Sequence, residues 1–399
     1  MECPVGRMTC RSPGAVVCQL LLTAMARSNQ FRLHVLIACG GTGGHLYPGI
    51  AVGEVLRARR HTVTLLISEK KIDALAASAH PELRFEKLPY LAMPSPLSPK
   101  MPKFLMGVWK GLRQCKAMIK KENIRVVLGM GGFTSFAPIL AGRQCKVKTL
   151  IHDSNAIPGK ANRLTSRYCD EILLGFGEAA AYFPKHLATQ VTGTPVRSAL
   201  RQAANDNKED PYAFFGLNPN LKTLLIIGGS QGARGVNNAV THSLDQLDAL
   251  GVQLLHITGP GDYQEVCDAY QTKEIKLRSH IAAFCHRMEL AYRVADMAVA
   301  RSGASTLAEL AYFGVPSLLV PYPTAADDHQ TKNAAIFDKA GAGILVSELE
   351  LSPEKLAAVV GEILNDSAKS QRMSQAAQQI SCANAAERIA DAIEQLVDK

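Results

Sequence analysis

The run His34-Val35-Leu36-Ile37-Ala38-Cys39-Gly40-Gly41-Thr42-Gly43-Gly44-His45-Leu46-Tyr47-Pro48-Gly49 sets the pattern for the chain. Leu33–Ala38 reads as a buried strand and the apolar spacing of Ile50–Arg59 suits a helix, so the glycines between them form a strand-to-helix turn. Four glycines free the backbone for positive φ and for close approach to a ligand. The helix that follows aims its unpaired N–H groups and positive dipole end at the same place. A phosphate, a pyrophosphate or a developing anion fits there. His45 is the side chain of this turn whose ordinary pKa lies near neutrality, which makes it the candidate proton acceptor beside such a ligand.

Outward from this turn, apolar strands alternate with amphipathic helices. Strands are expected at Leu33–Ala38, Val63–Ile67, Arg125–Leu128, Lys148–Ile151 and Glu171–Leu174, and again at Thr223–Ile227, Gln253–Ile257, Met297–Ala300 and Ser317–Val320. Such alternation points to an α/β architecture of two doubly wound parallel sheets with helices on both faces. The polar stretch at Asn205–Asp210 places a linker near residues 198–212. In the second half, Thr223–Ile227 runs into Gly228-Gly229-Ser230-Gln231-Gly232-Ala233, an echo of the first turn, and two similar domains facing one cleft would bring both turns to one ligand space.

At 399 residues the chain is long enough for about two domains by the usual prior of roughly 100–200 residues each. The formal charge of +9 favours anionic partners. No apolar run reaches the roughly 18 residues of a membrane span. The ten cysteines are scattered with no CxxC pair, which speaks against a zinc site or a disulfide framework and for a reducing compartment. Residues 1–32 read as a disordered extension. Its apolar run Ala15–Leu22 only weakly imitates a signal peptide because Gln19 interrupts it, and Met25 is itself an acceptable start.

Four further stretches carry chemistry. Gly228–Arg234 offers backbone donors, a hydroxyl, an amide and a guanidinium suited to a pyrophosphate. Arg301-Ser302-Gly303-Ala304-Ser305-Thr306 opens a helix with free N–H groups, and Glu309 follows about a turn later, where a carboxylate can accept both hydroxyls of a ribose. After Val320, Asp328, His329 and Gln330 suit a substrate sugar. The adjacent Asp327, Asp328 and His329 cannot all converge on one ion, so no metal is expected. In the first half, Gly129-Met130-Gly131-Gly132-Phe133, His152–Arg163 and Thr192–Arg197 bring Asn155, Arg197 and backbone donors towards His45. Neither main turn keeps the dinucleotide fingerprint, since Leu46 stands where GxGxxG ends in glycine, and no P-loop sequence is present. Between Leu88 and Lys121, Leu91, Met93, Leu97, Phe104, Leu105, Val108 and Trp109 mix with Lys103, Lys110 and other cations, a pattern suited to an anionic membrane surface.

Together, Gly40–His45, Asn155-Ala156-Ile157-Pro158-Gly159, Gly228–Ala233 and Arg301–Ala304 closely resemble the MurG family of peptidoglycan glycosyltransferases (glycosyltransferase family 28) from about Leu33 to the end of the chain. The resemblance implies a GT-B fold with an acceptor and membrane-associating domain at 33–198, a UDP-GlcNAc domain at 199–374, and a C-terminal helix at 375–399 crossing back to the first domain. It implies an inverting transfer of GlcNAc from UDP-GlcNAc to the 4-hydroxyl of MurNAc in undecaprenyl-pyrophosphoryl-MurNAc-pentapeptide, with no cofactor and no nucleic acid, at the cytoplasmic face of the bacterial membrane. At the matching positions it implies donor contacts from Thr42, Gly43, Gly44, His45, Asn155, Arg197, Ser230, Gln231, Gly232, Ser302, Gly303, Ala304, Glu309, His329 and Gln330. Acceptor or phosphate contacts fall to Gly41, Thr42, Gly131, Gly132 and Phe133, and His45 is the catalytic residue. Asp153-Ser154 replaces a common Glu-Gln pair, Thr194 a common Asn, Phe136 a small residue, and His329 the first of a Gln-Gln pair. The rival readings are a UDP-GlcNAc 2-epimerase or another glycolipid transferase on the same fold, and a nucleotide-sugar-binding subunit without catalysis.

Overall fold

The structure is a computed structural model that describes residues 32–89, 94, 98–204, 209–229, 232–273 and 277–398. Residues 1–31, with most of the proposed extension, lie outside the described residues, as do Leu91, Met93, Leu97, Ser230 and Gln231.

The first sheet holds seven strands: β1 (His34–Ala38), β2 (Thr62–Ile67), β3 (Arg84–Lys87), β4 (Val126–Gly129), β5 (Lys148–Asp153), β6 (Glu171–Leu174) and β7 (Ala188–Val191). Their order is β3-β2-β1-β4-β5-β6-β7. Every pairing is parallel; Val35 lies between Val63 and Val126. The second sheet repeats the plan with six strands: β8 (Thr223–Ile227), β9 (Gln253–Ile257), β10 (Ser279–Ala282), β11 (Met297–Ala300), β12 (Ser317–Leu319) and β13 (Gly343–Leu345), in the order β10-β9-β8-β11-β12-β13. In both sheets the direction of winding reverses beside the first strand, between β1 and β4 and between β8 and β11. Such a reversal opens a crevice at the carboxyl ends of the strands.

Helices cover both faces of each sheet, and the apolar strand residues are buried on both sides. Val35 and Ile37 belong to one core cluster and Leu36 and Ala38 to another, as strand alternation requires. The segment expected as one helix over 375–399 is two. Ser367–Ile380 closes the second domain, with Met373 and Ala377 in its core. The chain then breaks at Ser381–Asn384 and a separate helix, Ala385–Asp398, lays Ala386, Ile389, Ala390, Ile393 and Leu396 against the first domain's core. Arg59 holds it through Asp391 (2.6 Å) and Glu394 (3.0 Å), and His61 through Glu394 (2.9 Å).

Candidate functional site

The first glycine turn is shaped by close backbone packing. A methyl group on Gly40 would sit 2.4 Å from the Ser68 nitrogen, and Gly41 has φ +111°. Helix Gly43–Ala58 starts with the Thr42 carbonyl accepting from the nitrogens of His45 (3.1 Å) and Leu46 (3.0 Å), so the N–H groups of Gly43 and Gly44 point out of the helix start. The Thr42 hydroxyl lies 3.2 Å from His45 Nδ1.

The imidazole of His45 rests on the third glycine turn. A methyl group on Gly131 would come within 2.9 Å of His45 Nε2, and one on Gly132 within 3.2 Å of Cε1; both glycines have positive φ. No other residue fits there. The Gly132 N–H donates to Asn162 Oδ1 (3.0 Å), and Asn162 Nδ2 donates to Asp153 Oδ2 (2.7 Å). Asp153 also accepts from the Asn155 N–H (2.9 Å). Burial pushes His45 down to about 4, opposed by the charge of Asp73, and pushes His152, bonded to the Gly193 carbonyl, down to about 4 as well. Burial raises Asp153 to about 6 against its hydrogen bonds. At neutral pH His45 is therefore an uncharged imidazole able to accept a proton.

Across the cleft, helix Ala304–Phe313 starts opposite helix Gly43–Ala58. A methyl group on Gly44 would be 3.9 Å from Ser305 Oγ, which is buried and has no hydrogen-bond partner among the described residues. Two positive helix ends thus meet at one point, and both favour negative charge between them. Gly303 is the residue before this helix, Ala304 is its first residue, and the Ser302 hydroxyl donates to the Gln330 carbonyl (2.8 Å). Arg301 is a structural residue. It is buried and spans the carbonyls of Val320 and Pro321 and the carboxylate of Glu348.

Glu309 has both carboxylate oxygens engaged by protein groups, Oε1 by Arg197 (3.0 Å) and Oε2 by the Tyr292 hydroxyl (2.8 Å). Arg197 also lies over the Tyr47 ring at 5.0 Å. A ribose bound at Glu309 has to displace or share these contacts. Asn155 Oδ1 accepts from Asn333 Nδ2 (3.1 Å), and Asn333 further bonds the Ala156 N–H (2.9 Å) and the Ser302 carbonyl (3.1 Å), joining the domains at the cleft. Gln330 Oε1 accepts from the Tyr322 N–H (2.9 Å), and His329 begins helix His329–Lys339. Asp327 pairs with Arg163 (3.0 Å) across the cleft, and Asp328 accepts from the Thr331 hydroxyl. Gly232 has φ +81° and abuts the Thr258 carbonyl, where a methyl group would lie 2.3 Å away.

Asn162, Asn333, Tyr292, Ser305 and Asp73 take part in this arrangement without having been singled out from the sequence. Asn162 and Ser305 lay inside stretches read for other residues. Asn333 lay in the polar stretch after Val320 that was read for Asp328, His329 and Gln330, and Tyr292 and Asp73 are scattered polar residues on helices that only the folded chain brings to Glu309 and to the first glycine turn.

Of the proposed membrane residues, Leu105 and Trp109 on helix Met101–Lys121 are more than half exposed, with Met106 beside them and Lys103 and Lys110 exposed on the same helix. Phe104 instead packs edge-on against Phe133 at 6.0 Å, and Val108 is half-buried. Among the described residues one trio, Glu54, His80 and Glu82, has ligand atoms close enough to share a metal ion. Glu54 is nine residues beyond His45, about 13 Å along the helix, so this trio is no part of the cleft.

The chain matches the glycosyltransferase family 28 N-terminal domain over residues 35–174 and the family's C-terminal domain over residues 223–396. It is 34% identical over 374 residues to the UDP-N-acetylglucosamine–N-acetylmuramyl-(pentapeptide) pyrophosphoryl-undecaprenol N-acetylglucosamine transferase of Desulforudis audaxviator, covering 92% of this chain and 99% of that protein. To the Geobacter sulfurreducens protein of the same name it is 35% identical over 368 residues, covering 90% and 97%. Among solved structures, Acinetobacter baumannii MurG superposes with a TM-score of 0.71 at 25% identity, covering 91% of this chain and 99% of that one. A UDP-N-acetylglucosamine 2-epimerase, at 16% identity and a TM-score of 0.65 over 91% and 95%, shares the fold. With both family domains matched in order and across two parallel sheets that meet at one cleft, the chain belongs to glycosyltransferase family 28.

Proposed function

We propose that this enzyme transfers GlcNAc from UDP-GlcNAc to the 4-hydroxyl of MurNAc in undecaprenyl-pyrophosphoryl-MurNAc-pentapeptide, converting lipid I to lipid II in peptidoglycan synthesis. The observation that carries the mechanism is the position of the His45 ring, packed on Gly131 and Gly132 where the starts of helices Gly43–Ala58 and Ala304–Phe313 face each other. The named activity of relatives that align over nine-tenths of the chain supports the substrates.

In this mechanism the acceptor oxygen attacks the anomeric carbon from the face opposite UDP. The new C–O bond forms as the bond from carbon to the UDP oxygen breaks, inverting α to β, and the hydroxyl proton passes to His45. The leaving pyrophosphate gains charge, which the starts of helices Ala304–Phe313 and Arg234–His242 stabilise as fixed dipoles. Ser230, Gln231 and Gly232 contribute to the same cradle. Glu309 holds the ribose after exchanging its present partners, His329 and Gln330 meet the GlcNAc hydroxyls, and Gly131–Phe133 with Thr42 meet the acceptor. No metal takes part in this scheme.

The exposed Leu105, Met106 and Trp109 flanked by Lys103 and Lys110 seat the enzyme on the anionic cytoplasmic face of the membrane that carries the acceptor. Among the described residues no helix is long and apolar enough to cross a membrane.

The test is direct. Purified protein receives UDP-GlcNAc and the lipid-linked acceptor, and UDP release and disaccharide are followed with and without EDTA. Disaccharide in both conditions is expected. UDP without disaccharide would sink the transferase reading, and activity lost with EDTA would sink the metal-free one.

A further inference from the structure

The first glycine turn is gripped from outside by a carboxylate. Asp73, in the first turn of helix Lys71–Ala79, is fully buried. Its Oδ2 accepts from the Gly41 N–H (3.0 Å), the Ser68 N–H (2.7 Å) and the Ser68 hydroxyl (2.6 Å), while Oδ1 is buried with no hydrogen-bond partner among the described residues. Lys70 Nζ donates to the carbonyl of the same Gly41 (2.7 Å). Gly41 leads directly into Thr42, whose hydroxyl and carbonyl both meet His45. A continuous path of contacts therefore runs from the carboxylate to the imidazole.

The turn's shape alone does not need a charged residue, because a neutral amide oxygen accepts the same backbone donors. Burying a carboxylate with a bare oxygen is costly, so its presence here calls for a use of the charge. Resting on the reading of His45 as the base, we propose that Asp73 is a positioning residue for His45: it fixes Gly41 and, through it, Thr42, whose hydroxyl meets the ring, and its charge stabilises the imidazolium formed as the acceptor hydroxyl gives up its proton.

The other charged and titratable groups around the imidazole do not supply this. Lys70 is a cation, His152 on β5 is itself neutral at pH 7, and Asp153 sits behind Asn162 with its own donors. On the facing helix Glu309 is neutralised by Arg197. Asp73 is the group whose charge opposes the effect of burial on His45.

Asp73→Asn keeps the acceptor oxygen and removes the charge. The His45 imidazole is titrated by NMR in the wild type and the variant, with kcat and KM for both substrates. In Asp73→Asn the His45 pKa falls and kcat drops about tenfold, with KM for UDP-GlcNAc within about twofold. An unchanged His45 titration or an unchanged kcat in folded Asp73→Asn overturns the proposal. If Asp73→Asn does not fold, Asp73→Glu decides: a wild-type-like His45 titration with most of kcat is expected, and loss of both overturns it. The base reading fails separately, through turnover that survives in His45→Gln, while the NMR titration still tests the influence of Asp73.

Discussion

At the scale of single residues, the proposed chemistry rests on one imidazole, that of His45. His45→Gln is expected to lower kcat by about 10²–10⁴-fold with little change in KM for UDP-GlcNAc, measured by UDP release; turnover within a few-fold of wild type would end its role as base. The burial of this ring has a cost in acid. His45 and His152 are held down to about 4 and His256 to about 3, from an ordinary 6.5. Below about pH 6.5 the unfolded chain binds protons that these folded histidines refuse, so stability falls as pH drops from 6.5 towards 4. Asp153, raised to about 6, acts in reverse: its contribution is complete below the ordinary 3.8 and is lost as pH rises through 6. Three histidines outweigh one acid, and thermal melts at pH 7, 6 and 5 should show a falling midpoint. A midpoint that rises on acidification would contradict the burial of these rings.

At the scale of elements, helix Met101–Lys121 divides its apolar residues between two tasks. Phe104 turns inward to Phe133 beside the glycine turn, whereas Leu105, Met106 and Trp109 face out, with Arg113 over the Trp109 ring at 4.8 Å. Trp109→Glu should weaken binding to anionic vesicles about tenfold or more while kcat on a water-soluble acceptor stays unchanged. Vesicle flotation checks this, and undiminished binding would remove the helix from the membrane contact. The sheets also show which elements a sequence reveals. Every strand expected from an apolar run is present, and the four not anticipated, β3, β7, β10 and β13, are the four sheet edges. An edge strand has one neighbour and is partly solvated, so Arg84-Phe85-Glu86-Lys87 carries charges where an inner strand carries valine or leucine. Glycine turns were legible because glycine itself is the requirement, as at Gly131 and Gly132 under the imidazole. Asn333 was not, because a polar residue within a helix gains its meaning only from the Ala156 and Ser302 groups that the other loops bring to it.

At the scale of the molecule, the cleft is held by a few polar bridges, and Asn333 makes two of them, to Asn155 and Ala156, while its bond to the Ser302 carbonyl anchors it within the second domain. Asn333→Ala leaves the buried Ala156 N–H without its acceptor, a loss of about 1–3 kcal/mol. Its expected outcome is a larger radius of gyration by small-angle scattering and a kcat/KM reduced about tenfold or more; an unchanged radius would mean that other contacts set the closure. Helix Ala385–Asp398 is a second bridge, and Ile393→Ala should destabilise the chain by about 2–5 kcal/mol in denaturant unfolding. A cost well under this range would show that the helix is dispensable to the first core.

That helix also fixes an order of events during synthesis. Its apolar face completes a core whose other parts lie before residue 174, yet it is made only after the whole second domain. While the second domain is being made, at about 5–20 residues per second, the nascent first domain presents an uncovered apolar groove along helix Gly43–Ala58. His45 sits at the start of that helix, so a chain halted before residue 385 carries the glycine turn on a half-covered scaffold. Helix Ala385–Asp398 thereby sets when the core beneath the first glycine turn is completed.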